Sequence, residues 1–420
     1  MEHMAAIAGH PQLCAPCVHI AGSKGKGSVT GMTASILEAY GLRTARYMSP
    51  HISDFRERIS LGNSFFEEPV YLAAGDELRD LAENRIPAAK ISLFDPEDEE
   101  GEAPTFFELL TLYFFLCAKH GGCGAMVVET GMGGRLDCTN IVDPVVSVIT
   151  LIELEHTAIL GKTIPEIAGE KAGIIKAGKP VVLAKQREQA LEVFKKKAAE
   201  KNSPLLYFPE LAVIDNLSVH TGGTDFSLKL GGEDASQKFS IPIPGAIQAE
   251  NAGLAIMALK NFNKNINNDA IRRGLSAVKI PARFEKIADN PVVIIDGAHT
   301  PESASLCADT FCSLYGEGGI LLFGCAADKD AAAMAELLLP RFSQIIITMP
   351  GTFRISNAEK VYNAFSSSKT TLVKDTAEAI RRTLELSKEK HLPVLCTGSF
   401  YLASEIRQVI GNSRVSSALR

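Results

Sequence analysis

The polar and apolar positions of this 420-residue chain fall into two successive alternating series. In the first, short and largely apolar runs stand at Val18–Ala21, Ala125–Thr130, Val145–Leu151 and Lys179–Ala184. Runs of that kind fit strands buried on both faces of a parallel sheet. Helical periodicity fills the gaps, over about Ser28–Tyr40, from Thr105 onward, and over Pro165–Lys176. Gly41 supplies a stop for the first of these helices, and Thr105 with Glu108 has the spacing of a capping box. From Ala212 to Pro244 the period changes to alternation, broken at Gly222-Gly223 and Gly231-Gly232, which predicts antiparallel hairpins. Helix returns at Gln248–Leu259. Past Lys279–Glu285 a second series opens, with strands at Val292–Asp296, Ile320–Gly324, Ile345–Thr348 and Pro393–Thr397 and helices such as Ala331–Leu339 and Thr376–Glu389. The acidic run Asp95–Glu102 reads as a solvated loop.

The pattern predicts an α/β protein of two domains. Residues 1–280 carry a parallel sheet plus a small antiparallel one, and residues 281–420 a smaller Rossmann-like α/β unit. Between the first strand and the first helix lies Gly22-Ser-Lys-Gly-Lys-Gly-Ser28. Strand, glycine-rich turn and helix in that order make a phosphate loop. Gly22, Gly25 and Gly27 free the backbone to turn its amides inward, Lys26 brings a cation, and the Ser28 hydroxyl stands where such loops reach Mg²⁺. The helix N-terminus adds its dipole. The spacing departs from G-x-x-x-x-G-K-[ST] by one glycine between lysine and serine.

Parallel sheets bind ligands at the carboxyl ends of their strands. Glu129 ends one strand and His156 follows the next, so both are expected beside the loop. Carboxylate and serine oxygens with ATP phosphates suit Mg²⁺, while a histidine would favour Mn²⁺ or Zn²⁺. The segment Tyr47–Arg58 is so dense in Ser, His, Asp and Arg that it reads as a functional loop.

Composition narrows the class. With 46% hydrophobic and 22% charged residues the chain fits a globular protein, and its net charge of −6 gives no overall basic face for nucleic acid. No run is long and apolar enough for a membrane span, and the N-terminus lacks the pattern of a signal peptide, so a cytoplasmic location is expected. Nine scattered cysteines do not form a disulfide framework, and Cys14-x-x-Cys17 is a lone pair without a second zinc-type pair.

Taken together, the motifs resemble the folylpolyglutamate synthase and dihydrofolate synthase family of the Mur ligase superfamily. The matching pieces are His19–Ser28, Ser49–Arg58, Glu129–Asn140, Glu155-His-Thr157, Glu170–Lys176, Pro281–Glu285, Asp296–Pro301, Ala327–Asp330 and Thr397–Tyr401, in family order over nearly the whole chain. The resemblance implies that ATP phosphorylates a folate carboxylate and that the amine of L-glutamate attacks the acyl phosphate. It implies that Lys26 and the loop amides hold the phosphates, and that Ser49 and Glu129 ligate a first Mg²⁺. It gives His156 to a second metal and a metal-site carbamate to Lys171. It puts Arg283 at the phosphates, Asp296 at the ribose, Asn251 near the adenine and His299 near the γ-phosphate. Phe106 and Phe107 become candidates to stack on the pterin ring. The acceptor is dihydropteroate, a reduced folate, or both, and the family suggests a monomer.

Several positions depart from the family pattern. Ser23-Lys24 replaces Thr-Asn, Glu155 replaces Asp, Thr300 replaces Asn, and Ile247 replaces a histidine. The first strand also comes early, without the usual preceding helical segment of the pterin pocket. Two other readings stay open on the sequence, a phosphate-loop kinase or ATPase, and a degenerate binding protein without catalysis.

Overall fold

The computed structural model describes residues 1–85, 104–351 and 356–418; the expected loop at Asp95–Glu102 lies outside them. Seven strands form the first sheet: β1 (Cys17–Ala21), β2 (Thr44–Tyr47), β3 (Ile59–Leu61), β4 (Ala125–Glu129), β5 (Val146–Ile149), β6 (Val181–Leu183) and β7 (Leu205–Tyr207). Their order is β3-β2-β4-β1-β5-β6-β7, parallel except for β3. Within β1 and β4 successive side chains go to opposite faces. Val18, Ile20 and Val127 pack into one apolar layer with the helices Lys26–Ala39 and Ala246–Phe262, while Cys17, Met126 and Val128 enter the other with the helix Phe106–His120. Burial on both faces is why these strands read as unbroken apolar runs.

The alternating region folds into β8 (Ala212–His220), β9 (Gly223–Leu230) and β10 (Gln237–Ile241), a three-stranded antiparallel sheet. A third sheet follows the linker: β11 (Glu285–Asp289), β12 (Val292–Ile295), β13 (Gly319–Phe323), β14 (Phe342–Ile347), β15 (Thr370–Leu372) and β16 (Val394–Thr397). Its order is β11-β12-β16-β13-β14-β15, parallel apart from β11. The strand β11 starts at the end of the linker, Glu285, and runs through a stretch before Val292 to which the hydrophobic pattern gives no element. The helix expected to reach Lys176 ends at Lys171 and continues as a 3-10 turn, Ala172–Ile174. There the Arg135 amide donates to the Glu170 carbonyl (2.7 Å), and Gly173 packs against the Arg135 backbone.

Both linker residues flanking Arg283 adopt left-handed backbone, Ala282 at φ 51° and Phe284 at φ 43°. Non-glycine residues hold that conformation only when their surroundings impose it. Here the Ala282 carbonyl accepts from the Gly297 amide (2.9 Å), the Ala282 amide donates to Glu285 Oε2 (2.9 Å), and the Phe284 amide donates to Asp296 Oδ2 (2.7 Å).

The phosphate-loop helix is backed by the helix Asn268–Ala277, which crosses it at Gly274. A Cβ there would stand 2.4 Å from Ile36 Cα, and Ser35 Oγ already donates to the Gly274 carbonyl (2.6 Å). Gly274→Ala must push the two helices apart. It is expected to lower unfolding free energy by about 2 kcal/mol, read from urea denaturation.

Candidate active site

The register of the first sheet builds the site. Ile20 pairs with Glu129 and Ala21 with Ile149, so the carboxyl ends of β4, β1 and β5 lie side by side. From these ends come Glu129, the phosphate loop and the segment beginning at Thr150. The loop presses on that segment: a Cβ on Gly22 (φ 145°) would stand 1.8 Å from Thr150 Oγ1. The Ser23 and Lys24 amides both donate to the Leu151 carbonyl (2.9 and 3.1 Å). Gly25, at φ 90°, is the N-cap of the helix Lys26–Ala39, and a Cβ there would meet Asn251 Oδ1 at 2.5 Å. The first helical amides, which have no partners within the helix, therefore open onto the cleft.

Two ammonium groups converge on one carbonyl. Lys26 Nζ and Lys171 Nζ donate to the Gly22 carbonyl at 2.7 and 2.8 Å. Lys171 is buried, with 1% of its side chain exposed, and its Nζ also lies 2.7 Å from Glu155 Oε1. Burial lowers the Lys171 pKa to about 8, with Lys26 pushing the same way and Glu155 opposing both. Burial raises Glu155 too, but Lys26 and Lys171 outweigh it and hold the carboxylate at about 2. One carboxylate thus serves two cations, which is why the pair looks strong from Glu155 and weak from Lys171.

Next to the cations, Glu129 is buried and its Oε2 finds no hydrogen-bond partner among the described residues. Burial pushes its pKa up to about 7 against Lys26 and Arg283. Gly27 lies between these groups, since a Cβ on it would be 3.6 Å from Arg283 Nη2 and 3.7 Å from Glu129 Oε2. His156 takes a left-handed backbone (φ 47°), and burial lowers its pKa, with Glu155 opposing.

Opposite stands the wall formed by the third sheet. Asp296 directly follows β12 and accepts from the Phe284 and Ala298 amides, both at 2.7 Å, so its carboxylate fastens the linker to the end of that strand. The Arg283 guanidinium lies 4.5 Å from the centre of the Phe400 ring. His299 Nδ1 lies 2.8 Å from the Gly297 carbonyl, and burial lowers its pKa to about 4. The carbonyl partner fixes the proton on Nδ1, leaving a neutral ring with Nε2 as an acceptor.

Between the two walls runs a cleft of about 1190 Å³. Gly25, Lys26, Gly27, Ser28, Ser49, Phe107, Glu129, His156, Asn251, Arg283, Asp296 and His299 all line it. Three expected residues do not. Gly22 opens the loop and packs on Thr150, and the buried Lys171 holds its carbonyl from the side away from the cleft lining. Phe106 is 64% exposed and faces Phe55 at 6.4 Å between ring centres. Consecutive helical residues diverge by about 100°, so Phe106 points away when Phe107 points in. Among the described residues no group of three His, Cys, Asp or Glu side chains could hold a metal, and the Lys171 ammonium is turned to Gly22 and Glu155.

The chain matches the family model of the Mur ligase middle domain over residues 82–259 and that of the Mur ligase glutamate ligase domain over residues 282–400. It is 34% identical to the folylpolyglutamate synthase of Lacticaseibacillus casei, covering 96% of this chain and 91% of that protein. It is 33% identical to the dihydrofolate synthase/folylpolyglutamate synthase of Bacillus subtilis, covering 97% and 93%. The solved structure of Mycobacterium tuberculosis folylpolyglutamate synthase complexed with ADP superposes with a TM-score of 0.87 at 29% identity, over 98% of this chain and 93% of that one. The chain belongs to the folylpolyglutamate synthase and dihydrofolate synthase family of the Mur ligase superfamily.

Within this family frame, two contributors escaped the sequence reading. Glu155 stands out there only as a replacement for aspartate, and its partner Lys171 lies 16 residues on, in another element. Arg58 is legible only as one polar residue in a polar loop, yet it lines the cleft beside Ser49 and Pro50. No helix among the described residues is long and apolar enough to cross a membrane, and all nine cysteines are free thiols.

The Glu155 pair gives a pH signature. Its folded pKa of about 2 lies below the ordinary value of 4.5, so its stabilisation is complete above pH 4.5 and is lost as pH falls toward 2. In Glu155→Gln the fall in urea midpoint between about pH 5 and pH 3 is expected to be shallower than in the parent protein.

Proposed function

We propose that this chain is an ATP-dependent ligase that joins L-glutamate to a folate-type acceptor through an acyl phosphate, forming ADP and phosphate. The observation that carries the reading is that Arg283 and a Glu129 oxygen without a hydrogen-bond partner among the described residues meet at Gly27, with Lys26 and Arg283 the charges that act most on that carboxylate. The names of the relatives, and the ADP held by the superposed structure, support folate, glutamate and ATP as substrates. Division into an ATP-binding domain of residues 1–280 and a glutamate-side domain of residues 281–420 belongs to the same reading. So does a cytoplasmic monomer; the nine free thiols fit a reducing compartment.

In this reading the loop amides and Lys26 take the β- and γ-phosphates. Lys26 has only to leave the Gly22 carbonyl, because Lys171 stays on it. Arg283 reaches the phosphates from the linker, and Asp296 keeps lone pairs for the ribose hydroxyls. The Glu129 carboxylate, buried and short of a partner, fits a divalent cation, and the oxygen-rich set of Glu129, Ser49 and phosphate selects Mg²⁺. His156, which lines the same cleft, is the residue this reading gives to a second ion. Bound Mg²⁺ would neutralise charge on the transferring phosphoryl group. A carbamate on Lys171 requires its amine to let go of Glu155 first, and a pKa of about 8 keeps the neutral amine within reach. An acceptor carboxylate oxygen attacks the γ-phosphorus and ADP leaves. The glutamate amine then attacks the acyl carbon and phosphate leaves. His299 Nε2 offers the incoming amine an acceptor, and the enclosing walls keep water from the acyl phosphate.

A plain phosphate-loop kinase or ATPase has no need for Asp296, Arg283 and His299 on a second lobe, and a degenerate site has no reason to keep Lys26, Glu129, His156 and Lys171 together. Phosphate release with MgATP and L-glutamate decides between the readings. Tetrahydrofolate goes into one arm and dihydropteroate into the other. Release is expected only when an acceptor and glutamate are both present, and Lys26→Ala should lower it by about 10²–10³-fold. Turnover without acceptor would favour the ATPase, and nucleotide binding without turnover in either arm the degenerate protein.

A further inference from the structure

The segment Tyr47–Arg58 ends on a cation that the phosphoryl chemistry does not use. Tyr47 pairs with Ile59, and the Met48 amide donates to the Arg58 carbonyl (3.1 Å), so Arg58 sits across from Met48 and next to Ser49. It lines the cleft together with Pro50, Phe107 and Gly131. Arg58 Nε donates to His51 Nδ1 at 2.8 Å, which sets the plane of the guanidinium. Arg43, Arg56 and Arg135 each hold a carboxylate, of Glu67, Asp54 and Glu170, whereas Arg58 has no such ion pair among the described residues. The adjacent carboxylate, Glu57, is taken by the amides of Ile52, Ser53 and Asp54 (2.6, 3.1 and 3.2 Å). An arginine anchored through Nε, whose terminal nitrogens make no hydrogen bond among the described residues, is prepared to bind a carboxylate from outside the chain.

Which carboxylate follows from where the other cations stand. The charges that act most on Glu129 are Lys26 and then Arg283. The carboxylate that receives phosphate must lie with them. A pteroylglutamate acceptor carries a second carboxylate, on the α-carbon of its glutamate, and dihydropteroate carries none. We propose that Arg58, positioned by His51, binds the α-carboxylate of the glutamate already present on the acceptor and so favours pteroylglutamates over pteroates. The inference rests on the folate-ligase reading, but its test needs no turnover.

Binding would be titrated in the presence of a non-hydrolysable ATP analogue, with two probes. One is tetrahydrofolate. The other is its counterpart with γ-aminobutyrate in place of glutamate, which keeps the reacting carboxylate and lacks the α-carboxylate. The parent protein is expected to prefer tetrahydrofolate by about 10–100-fold. Arg58→Gln should erase that preference by weakening tetrahydrofolate alone, and leave affinity for the ATP analogue unchanged. Arg58→Lys, which keeps the charge without the fork, should recover part of the preference, and it replaces the glutamine variant if that one melts early. Equal binding of both probes by the parent, an undiminished preference in the variants, or no binding of either probe would overturn the assignment. Absence of ligation in the phosphate-release assay, with the preference intact, would sink the ligase reading instead.

Discussion

The Gly22 carbonyl carries the site. It accepts hydrogen bonds from two lysine ammoniums, one from the phosphate loop and one from a helix that starts more than a hundred residues later. Two like charges this close, one of them fully buried, would repel strongly at low dielectric. Glu155 makes the arrangement tenable by placing its carboxylate against Lys171 and within the field of Lys26. Residue 22 must lack a side chain, because Thr150 occupies the place a Cβ would take. Loop, strand end and helix are thereby locked into one body.

The cleft above this body is arranged by desolvation rather than by added charge. Burial pushes Glu129 up toward neutrality, lowers His156 and His299, and lowers Lys171. Groups in that condition respond strongly to an incoming polyanion with its counterions, because each recovers a partner that solvent no longer provides. Left-handed non-glycine backbone also occurs at His10, Asn202, Asn216 and His391, but His156 and Phe284 line the cleft and Ala282 adjoins Arg283, where such backbone can serve function.

Much of this was legible in the sequence, for identifiable reasons. Strands buried on both faces announce themselves as apolar runs, and parallel strands deliver their carboxyl ends to one edge, so Gly25, Lys26, Glu129 and His156 were found together. Glycines and prolines marked the turns, and Thr105 with Glu108 forms its capping box. The rest was hidden because it depends on three-dimensional neighbours. Nothing along the chain joins Glu155 to Lys171, or says that Arg58 is anchored by His51. Phe106 and Phe107 are alike in sequence, and only the rotation of the helix separates them. The strands β3, β7 and β15 span three residues each and have no period to detect.

The linker carries a mechanical consequence. Arg283 sits between two left-handed residues, and the Asp296 carboxylate is bonded to the amide on one side of it and to its own sheet on the other. Any swing of one lobe against the other must therefore turn Arg283 and Asp296 as a single crank. Under the proposed reading, a nucleotide held at its sugar by Asp296 and at its phosphates by Arg283 would bridge the two arms of that crank, and a change in its length would act on the hinge directly.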